Sequence, residues 1–599
     1  MDKQPSPKKN FNIEQLKRVL GFAIPYKRIL SATMLMSIVL AILAPIRPML
    51  IQLTLNKGIK SGDHAFFLSG PGAFILEITI IQIVILLFES ALRYYFTYTS
   101  AKIGQHVVKD LRMATYSKII NFNLSQFDKT PIGTLTTRTV NDIESVNEIF
   151  SDGLIPIIAD MLSIIAVLSY MFYTDWQITL ICLAPFSLMI VATYYFKESV
   201  NKSFVIVRNS VAQLNAFVQE HISGMSVIQA FAAEETEKKK FNEINSTHKN
   251  ANIKAIFAYS VFFPFVELIS AVSIGLLVWW AAQKSLHLDI VQSQKIAGIV
   301  TSFILCLNLL FRPLRMIADK FNVLQMGIIA SERVFKVIDN EDYMKIDETD
   351  TQLSKAKFNG NISFEKVWFA YNNDQYVLKD ISFKLPAGKT LAIVGHTGSG
   401  KTSIVSLINR LYHINRGNIK IDGIEIEKIN IENLRKQIAV VLQDVFLFSS
   451  SILDNITLMN PNITISEVER AAKMIDLHDF IMKLPGGYAF NIMERGATLS
   501  VGQRQLLSFV RAILYNPSIL ILDEATASVD TETEQLIQHT IDKIIVGRTS
   551  IIIAHRLSTI RKADYIMVLD KGEIKEMGSH QELLDKKGAY FELIEKAKV

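Results

Sequence analysis

Apolar residues are spread unevenly along this chain, and that unevenness constrains its fold more than any other feature. Half of the 599 residues are apolar. Before position 320 they gather into six runs, at 29–55, 72–98, 150–173, 177–198, 256–283 and 296–318. As helices these runs are long enough to cross the ~30 Å hydrocarbon core of a bilayer, allowing for tilt. The remainder has the mixed, glycine-punctuated composition of an α/β domain. A chain of this length exceeds what one core organises. Two domains are expected, the first an α-helical six-span membrane domain over 29–338.

The connections between the runs orient them. Residues 174–176 leave almost no loop, whereas 99–149 and 199–255 are long and read as helical. Three short connections then lie on one side of the membrane and two long ones on the other. Lys8, Lys9, Lys17, Arg18, Lys27 and Arg28 precede the first run, and basic residues gather on the cytoplasmic side. The long loops and both termini are therefore expected in the cytoplasm. Within a 1–28 N-terminal region, 11–22 alternates apolar and charged residues at helical spacing, which suits a helix lying on the membrane surface. The polar start and late first run do not match a cleavable signal peptide, so the first span is expected to be retained.

Charge and cysteine usage narrow the function classes. The net charge of +6 is small for this length and no block of five or six like charges occurs, so charge gives no case for nucleic acid as a partner. The two cysteines, Cys182 and Cys306, both lie in apolar runs, which argues against a disulfide framework or a thiolate zinc site.

A polar linker, 339–358, leads into 359–599, where strand-like alternation at 361–369 and 378–385 opens an α/β pattern. The apolar strand 390–394 then runs into Gly395-His396-Thr397-Gly398-Ser399-Gly400-Lys401-Thr402 and a helix. That octapeptide fits GxxxxGK[ST] in its strand-loop-helix setting, the P-loop of an ATPase. Its glycines let backbone amides close on a phosphate, Lys401 adds charge at the β and γ phosphates, and Thr402 can hold Mg²⁺. A chance glycine-rich turn is the bland alternative. Against it stands Ile519-Leu520-Ile521-Leu522-Asp523-Glu524, a buried-strand run ending in two carboxylates. At that place a P-loop enzyme holds its metal and positions water, with Asp523 on the metal and Glu524 as general base.

With Leu499-Ser500-Val501-Gly502-Gln503 added, the 359–599 region resembles the ATP-binding cassette (ABC) family, whose signature is usually LSGGQ. The resemblance implies an α/β P-loop ATPase domain with a helical subdomain, using ATP and Mg²⁺. It implies that Ser500, Gly502 and Gln503, at a helix N-terminus suited to anions, reach the γ-phosphate of a nucleotide held by a second cassette. It further implies that Tyr371 stacks on adenine and that Asp530 lies in the loop touching the partner. Gln443 joins Thr402 and Asp523 around the metal, in the loop that meets the membrane domain, and His555 contacts the γ-phosphate and attacking water. Glu524, His555 and Gln443 form the implied catalytic set. Two departures stand out. Val501 replaces the first signature glycine, and 491–496 only partly follows the exporter pattern; altered kinetics rather than inactivity is expected.

Six spans fused to one cassette resemble half of an ABC exporter. Phe127-Asp128-Lys129-Thr130-Pro131, with Gly133, Thr137, Arg138 and Asn141-Asp142, is similar to the exporter pattern in the first long loop. The exporter resemblance implies alternating access in the bacterial plasma membrane, among its lipids, driven by a dimer of half-transporters. A homodimer is favoured and a heterodimer allowed. The implied cargo is a hydrophobic or amphipathic compound: a lipid, a drug-like molecule or a peptide. The alternative is a membrane-anchored regulatory ATPase that senses a ligand without moving it. Arg47, Glu77, Glu89, Arg93, Asp160, Glu267 and Arg312 fall within or at the ends of spans, where pairing between helices is the expected use of charge. Arg47 and Glu267 are the candidates for lining a cavity.

Overall fold

The computed structural model describes residues 13–58, 73–286, 290–343, 357–372, 375–523, 531–554 and 556–598. The chain divides into two compact units, Met1–Ile120 with Ile132–Asn340, and Asn121–Pro131 with Glu341–Val599.

The first unit is helical. Among the described residues, six helices are long and apolar enough to cross a membrane: Ile24–Asn56, Ala73–Ile120, Ile132–Thr174, Trp176–Ser223, Glu234–Ser285 and Lys295–Pro313. Most of each long loop is a continuation of its spans. The helices Ala73–Ile120 and Glu234–Ser285 have 48 and 52 residues, so at ~1.5 Å per residue each is about 70–80 Å long, more than twice the hydrocarbon core. No proline interrupts 99–120 or 234–255 to stop the helix. Where the chain does turn, the cause is local. Pro45 separates Lys27–Leu43 from Ile46–Leu53. The Asp175 carboxylate caps the helix Trp176–Leu183 by accepting the amides of Gln177 and Ile178 at 3.0 and 3.1 Å, which makes the 174–176 turn tight.

Two apolar clusters hold this unit. Ile103, Leu111, Ile143, Phe150, Leu324 and Phe335 form one, and Val19 joins them from the helix Ile13–Gly21. Arg18 fixes that helix further, donating to both oxygens of Asp339 at 2.8 and 2.7 Å and lying 4.0 Å from the Phe335 ring centroid. The helix read from sequence as amphipathic thus turns its apolar face onto other helices of its own unit. The second cluster gathers Phe262, Phe303 and Phe311 with Cys182 and Cys306, both buried free thiols. Elsewhere apolar side chains stay bare, with Leu87 65% and Ile190 70% exposed. A helical bundle with an apolar outer surface is at home in lipid.

The second unit contains two sheets. Strands β1 (Ile362–Phe369), β2 (Leu378–Leu385), β4 (Arg416–Ile421) and β5 (Ile424–Glu425) form an antiparallel sheet ordered β2-β1-β4-β5. The other sheet has β3 (Thr390–Val394), β6 (Ile438–Val441), β7 (Ile519–Asp523), β8 (Thr549–Ile553), β9 (Tyr565–Asp570) and β10 (Glu573–Gly578). Its order is β10-β9-β3-β8-β7-β6, parallel except for β10. Strands β3, β7 and β8 are buried on both faces, hence their unbroken apolar runs. Alternate residues serve different cores. Ala392, Leu520, Leu522 and Ile552 pack with Ile452, Val468 and Leu506 of the helices between β6 and β7. Leu391, Ile393, Ile519 and Ile551 pack with the antiparallel sheet through Phe364 and Phe383. The period of two in a strand delivers both faces at once.

Candidate nucleotide site and membrane cavity

The parallel strands end together at one edge of the six-stranded sheet. Ile393 is paired with Ile553, Asp523 with Ile553, and Val441 with Leu522. The octapeptide after β3, the carboxylate of Asp523 and the segment containing Gln443 therefore share one rim, where open α/β sheets bind ligands.

The octapeptide is bent by its backbone. Gly400, at the mouth of the helix Lys401–Ile408, has φ +105°, and a Cβ there would stand 2.6 Å from a Leu378 methyl. At Gly395 the limit is proximity, since a Cβ would lie 2.1 Å from the Leu569 carbonyl oxygen. Lys401 is buried and its Nζ donates to the carbonyls of Gly395 and His396 at 2.8 and 3.1 Å, curling the loop around itself. Burial lowers the Lys401 pKa and the nearby Asp523 carboxylate opposes that shift. The buried Ser399 hydroxyl has no hydrogen-bond partner among the described residues, which leaves it free to meet a ligand. His396, Thr397, Gly398 and Thr402 are exposed at the surface of the loop. Tyr371 is 42% exposed, its hydroxyl 3.0 Å from Ser403 Oγ and its ring set edge-on to Tyr412 with centroids 5.0 Å apart.

The signature lies at the N-terminus of the helix Val501–Leu514. Ser500 Oγ accepts the Gln503 amide at 3.2 Å and Gln503 Oε1 accepts the Ser500 amide at 2.9 Å, a complete capping box. Two residues singled out for phosphate contact therefore also terminate their own helix, which the S-x-x-Q spacing announces. Val501 is 42% exposed and Gly502 buried. Gln443 is exposed, two residues past the end of β6. Glu524, Asp530 and His555 lie outside the described residues.

Sequence reasoning missed three residues that organise this unit. Asn455, fully buried, binds both the amide and the carbonyl of Phe448, at 2.8 and 2.9 Å, and so clamps the loop that begins at Gln443. A single amide amid the apolar residues of Ile452–Thr457 was the available signal. Asp342 accepts hydrogen bonds from Asn123, Gln126 and Ser125 at 2.6, 2.5 and 3.1 Å. Burial works to raise its carboxyl, and these donors overcome it and hold it below the usual range. Tyr412 donates to Asp128 Oδ2 at 2.6 Å, within the short helix Leu124–Lys129. Burial, then the Asp128 carboxylate, pushes the Tyr412 hydroxyl pKa up. Both contacts join positions more than two hundred residues apart, which no local pattern reveals.

In the first unit a cavity of about 680 Å³ is lined by residues of the first, second, third and sixth spans. Arg47, Glu89, Arg93, Asp160 and Arg312 all line it. Pairing accounts for part of this charge: Arg93 bonds Glu89 at 2.9 Å and Lys320 bonds Asp160. Glu77 is buried elsewhere and has a polar or ionic partner. Glu267 stands exposed on the fifth span and is not part of this lining; the buried residues around it are Val266, Ile269 and Ser270.

A P-loop ATPase rim on one unit and six membrane-crossing helices in the other define a transporter that couples ATP hydrolysis to movement across a membrane. The chain belongs to the ABC transporter family. Residues 30–314 match the ABC transporter transmembrane region and residues 378–527 the ABC transporter model. A Bacillus subtilis protein called the uncharacterized ABC transporter ATP-binding protein YknV is 37% identical over 98% of this chain and 95% of its own length. The ATP-dependent lipid A-core flippase of Syntrophus aciditrophicus is 32% identical, covering 98% of this chain and 94% of its own. In fold, a bacterial Atm1-family ABC exporter solved with ATP bound superposes with a TM-score of 0.77 at 24% identity, over 96% of this chain and 98% of that one. The chain is an integral membrane protein and an ABC exporter.

Proposed function

We propose that two copies of this chain form a homodimer that exports or flips a hydrophobic or amphipathic compound across the bacterial plasma membrane. Both termini and the long loops face the cytoplasm in this reading, as the basic residues ahead of the first span favour. The observation that carries it is the common rim at the ends of β3, β6 and β7, joined covalently to six spans.

In this reading the amides of 395–402 and the Lys401 ammonium hold the ATP phosphates, and Tyr371 stacks on the base. Thr402, Gln443 and Asp523 supply a hydroxyl, an amide oxygen and a carboxylate, an all-oxygen set fit for a hard cation such as Mg²⁺. Bound there, the ion neutralises charge on the transferring phosphoryl group. Glu524 takes a proton from the attacking water and His555 positions that water at the γ-phosphate. Ser500, Gly502 and Gln503 present the helix N-terminus to the nucleotide of the opposite copy, and Asp530 meets that copy. ATP shared between two cassettes favours their closed pairing, and an affinity that differs between two states is enough to shift the membrane helices from one opening to the other.

The test is Glu524→Gln in proteoliposomes. Expected is ATP binding as in the wild type, with turnover at least 100-fold lower and no ATP-driven movement of a fluorescent lipid or dye. Full turnover in the variant removes Glu524 from its role. Wild-type hydrolysis that moves no lipid, drug or peptide probe at all supports the regulatory alternative.

A further inference from the structure

The cavity of the membrane unit is not electrically balanced. Four cations line it, Arg47, Arg93, Arg312 and Lys320, against three carboxylates. Two carboxylates are committed, Glu89 to Arg93 and Asp160 to Lys320. The third, Asp152, accepts the Ser151 hydroxyl at 2.8 Å. Arg47 and Arg312 have no hydrogen-bond or ionic partner among the described residues. Both side chains are exposed, Arg47 within the first span and Arg312 at the end of the sixth, and two unpaired guanidiniums lining one cavity mark a place where a ligand supplies the anion. The same lining carries Leu40, Ile51, Phe96 and Leu309, an apolar wall beside the two cations. The volume lies in the range of small-molecule pockets.

We propose that this cavity binds an amphiphile with an anionic head group, carboxylate, sulfate or phosphate, held by Arg47 and Arg312, with its apolar part against the Leu40, Ile51, Phe96 and Leu309 wall. The proposal rests on the exporter reading and narrows its cargo. A planar guanidinium donates two parallel hydrogen bonds to such a group, which gives preference by head group as well as by charge. The chemistry is shared by an acidic bilayer lipid and by a soluble amphiphile, and the test separates them.

The full chain is placed in phosphatidylcholine nanodiscs without nucleotide, and binding is measured by isothermal titration. Dodecyl phosphate, dodecyltrimethylammonium and inorganic phosphate are the soluble probes. Expected is saturable binding of dodecyl phosphate at least tenfold tighter than of the other two. Arg47→Gln with Arg312→Gln lowers that affinity at least tenfold, and Glu267→Gln leaves it unchanged. Phosphatidic acid mixed into the nanodisc assigns the site to a bilayer lipid if it competes with dodecyl phosphate, and to a soluble amphiphile if it does not. Equal affinity for the two charged head groups, or an unaffected double variant, overturns the proposal. Should the double variant fail to fold, the head-group comparison on the wild type decides alone. ATP-driven transport is read separately in vesicles. Head-group-selective binding without transport keeps the site and removes the exporter reading; transport without head-group preference does the reverse.

Discussion

Replacing Asn455 by alanine tests how the nucleotide rim is tied to the helices between β6 and β7. Its side chain is fully buried. Oδ1 accepts the Phe448 amide at 2.8 Å and an Arg511 Nη2 hydrogen at 3.2 Å. Nδ2 donates to the carbonyls of Phe448 and Ser451 at 2.9 and 3.1 Å. Truncation strands the Phe448 amide, while the Phe448 carbonyl keeps the Ser450 amide at 2.8 Å. An orphaned group costs about 1–3 kcal/mol, toward the lower end where water can enter a partly exposed loop, so the loop loses about 1–2 kcal/mol of local stability. With 1.4 kcal/mol per factor of ten, amides of 446–451 exchange about 5- to 30-fold faster. Hydrogen exchange on the full chain, digested after quenching, reads this directly. The exposed Asn462 is the control, since its alanine variant shifts stability by less than about 0.5 kcal/mol. Because Gln443 begins the same loop, ATPase activity is expected to fall with the protection. Exchange within threefold of wild type over 446–451 refutes the clamp.

Val501→Gly removes an exposed side chain at the first turn of a helix whose capping box stays intact, so turnover rises no more than about threefold, under 1 kcal/mol; inactivity of the variant, or a rise above tenfold, shows that Val501 bears on the phosphate. Asp342 has its carboxyl held below the ordinary value of 3.8. A depressed carboxyl contributes stability that is full above the unfolded value and lost as pH falls through the lower folded one. Protection of 123–129, corrected for intrinsic rates, is therefore level from pH 7 to 5 and falls below about pH 4, a fall that Asp342→Asn abolishes. Tyr412→Phe deletes the bond to Asp128 and leaves the ring beside Tyr371; ATP affinity stays within twofold, while substrate-stimulated ATPase drops several-fold, about 1 kcal/mol of coupling. Unchanged stimulation means that the contact carries no signal.

The six spans were legible because burial in lipid demands long apolar runs whatever the sequence around them, and β3, β7 and β8 were legible because burial on both faces demands short ones. The octapeptide was legible for a different reason. Its glycines answer to backbone approach, as the carbonyl of Leu569 against Gly395 shows, and a backbone requirement leaves a residue-type signature. Strands β5 and β10 left weaker traces, since they lie at the edges of their sheets and fully bury none of their residues. Depth within a span, as for Glu267, says nothing of which way a side chain faces. Helical phase sets that, and the phase here puts Val266 and Ile269 inside.

The segment least legible from sequence is the one whose position explains the most. Residues 121–131 follow directly from a 48-residue membrane helix, yet they pack with the cassette unit. The sequence marks Phe127 to Pro131 by their similarity to the exporter pattern, but not the distant residues that hold them. The segment is fixed by a carboxylate at 342 taking three donors and a phenol at 412 binding Asp128. The Tyr412 ring in turn meets Tyr371, whose ring is the proposed base platform. A shift of that platform cannot leave Tyr412 and Asp128 both in place. The helix leading into 121–131 is continuous for about 70 Å. Asp342 and Tyr412 lie outside every motif, and the Tyr412→Phe variant tests whether their contacts join hydrolysis to transport.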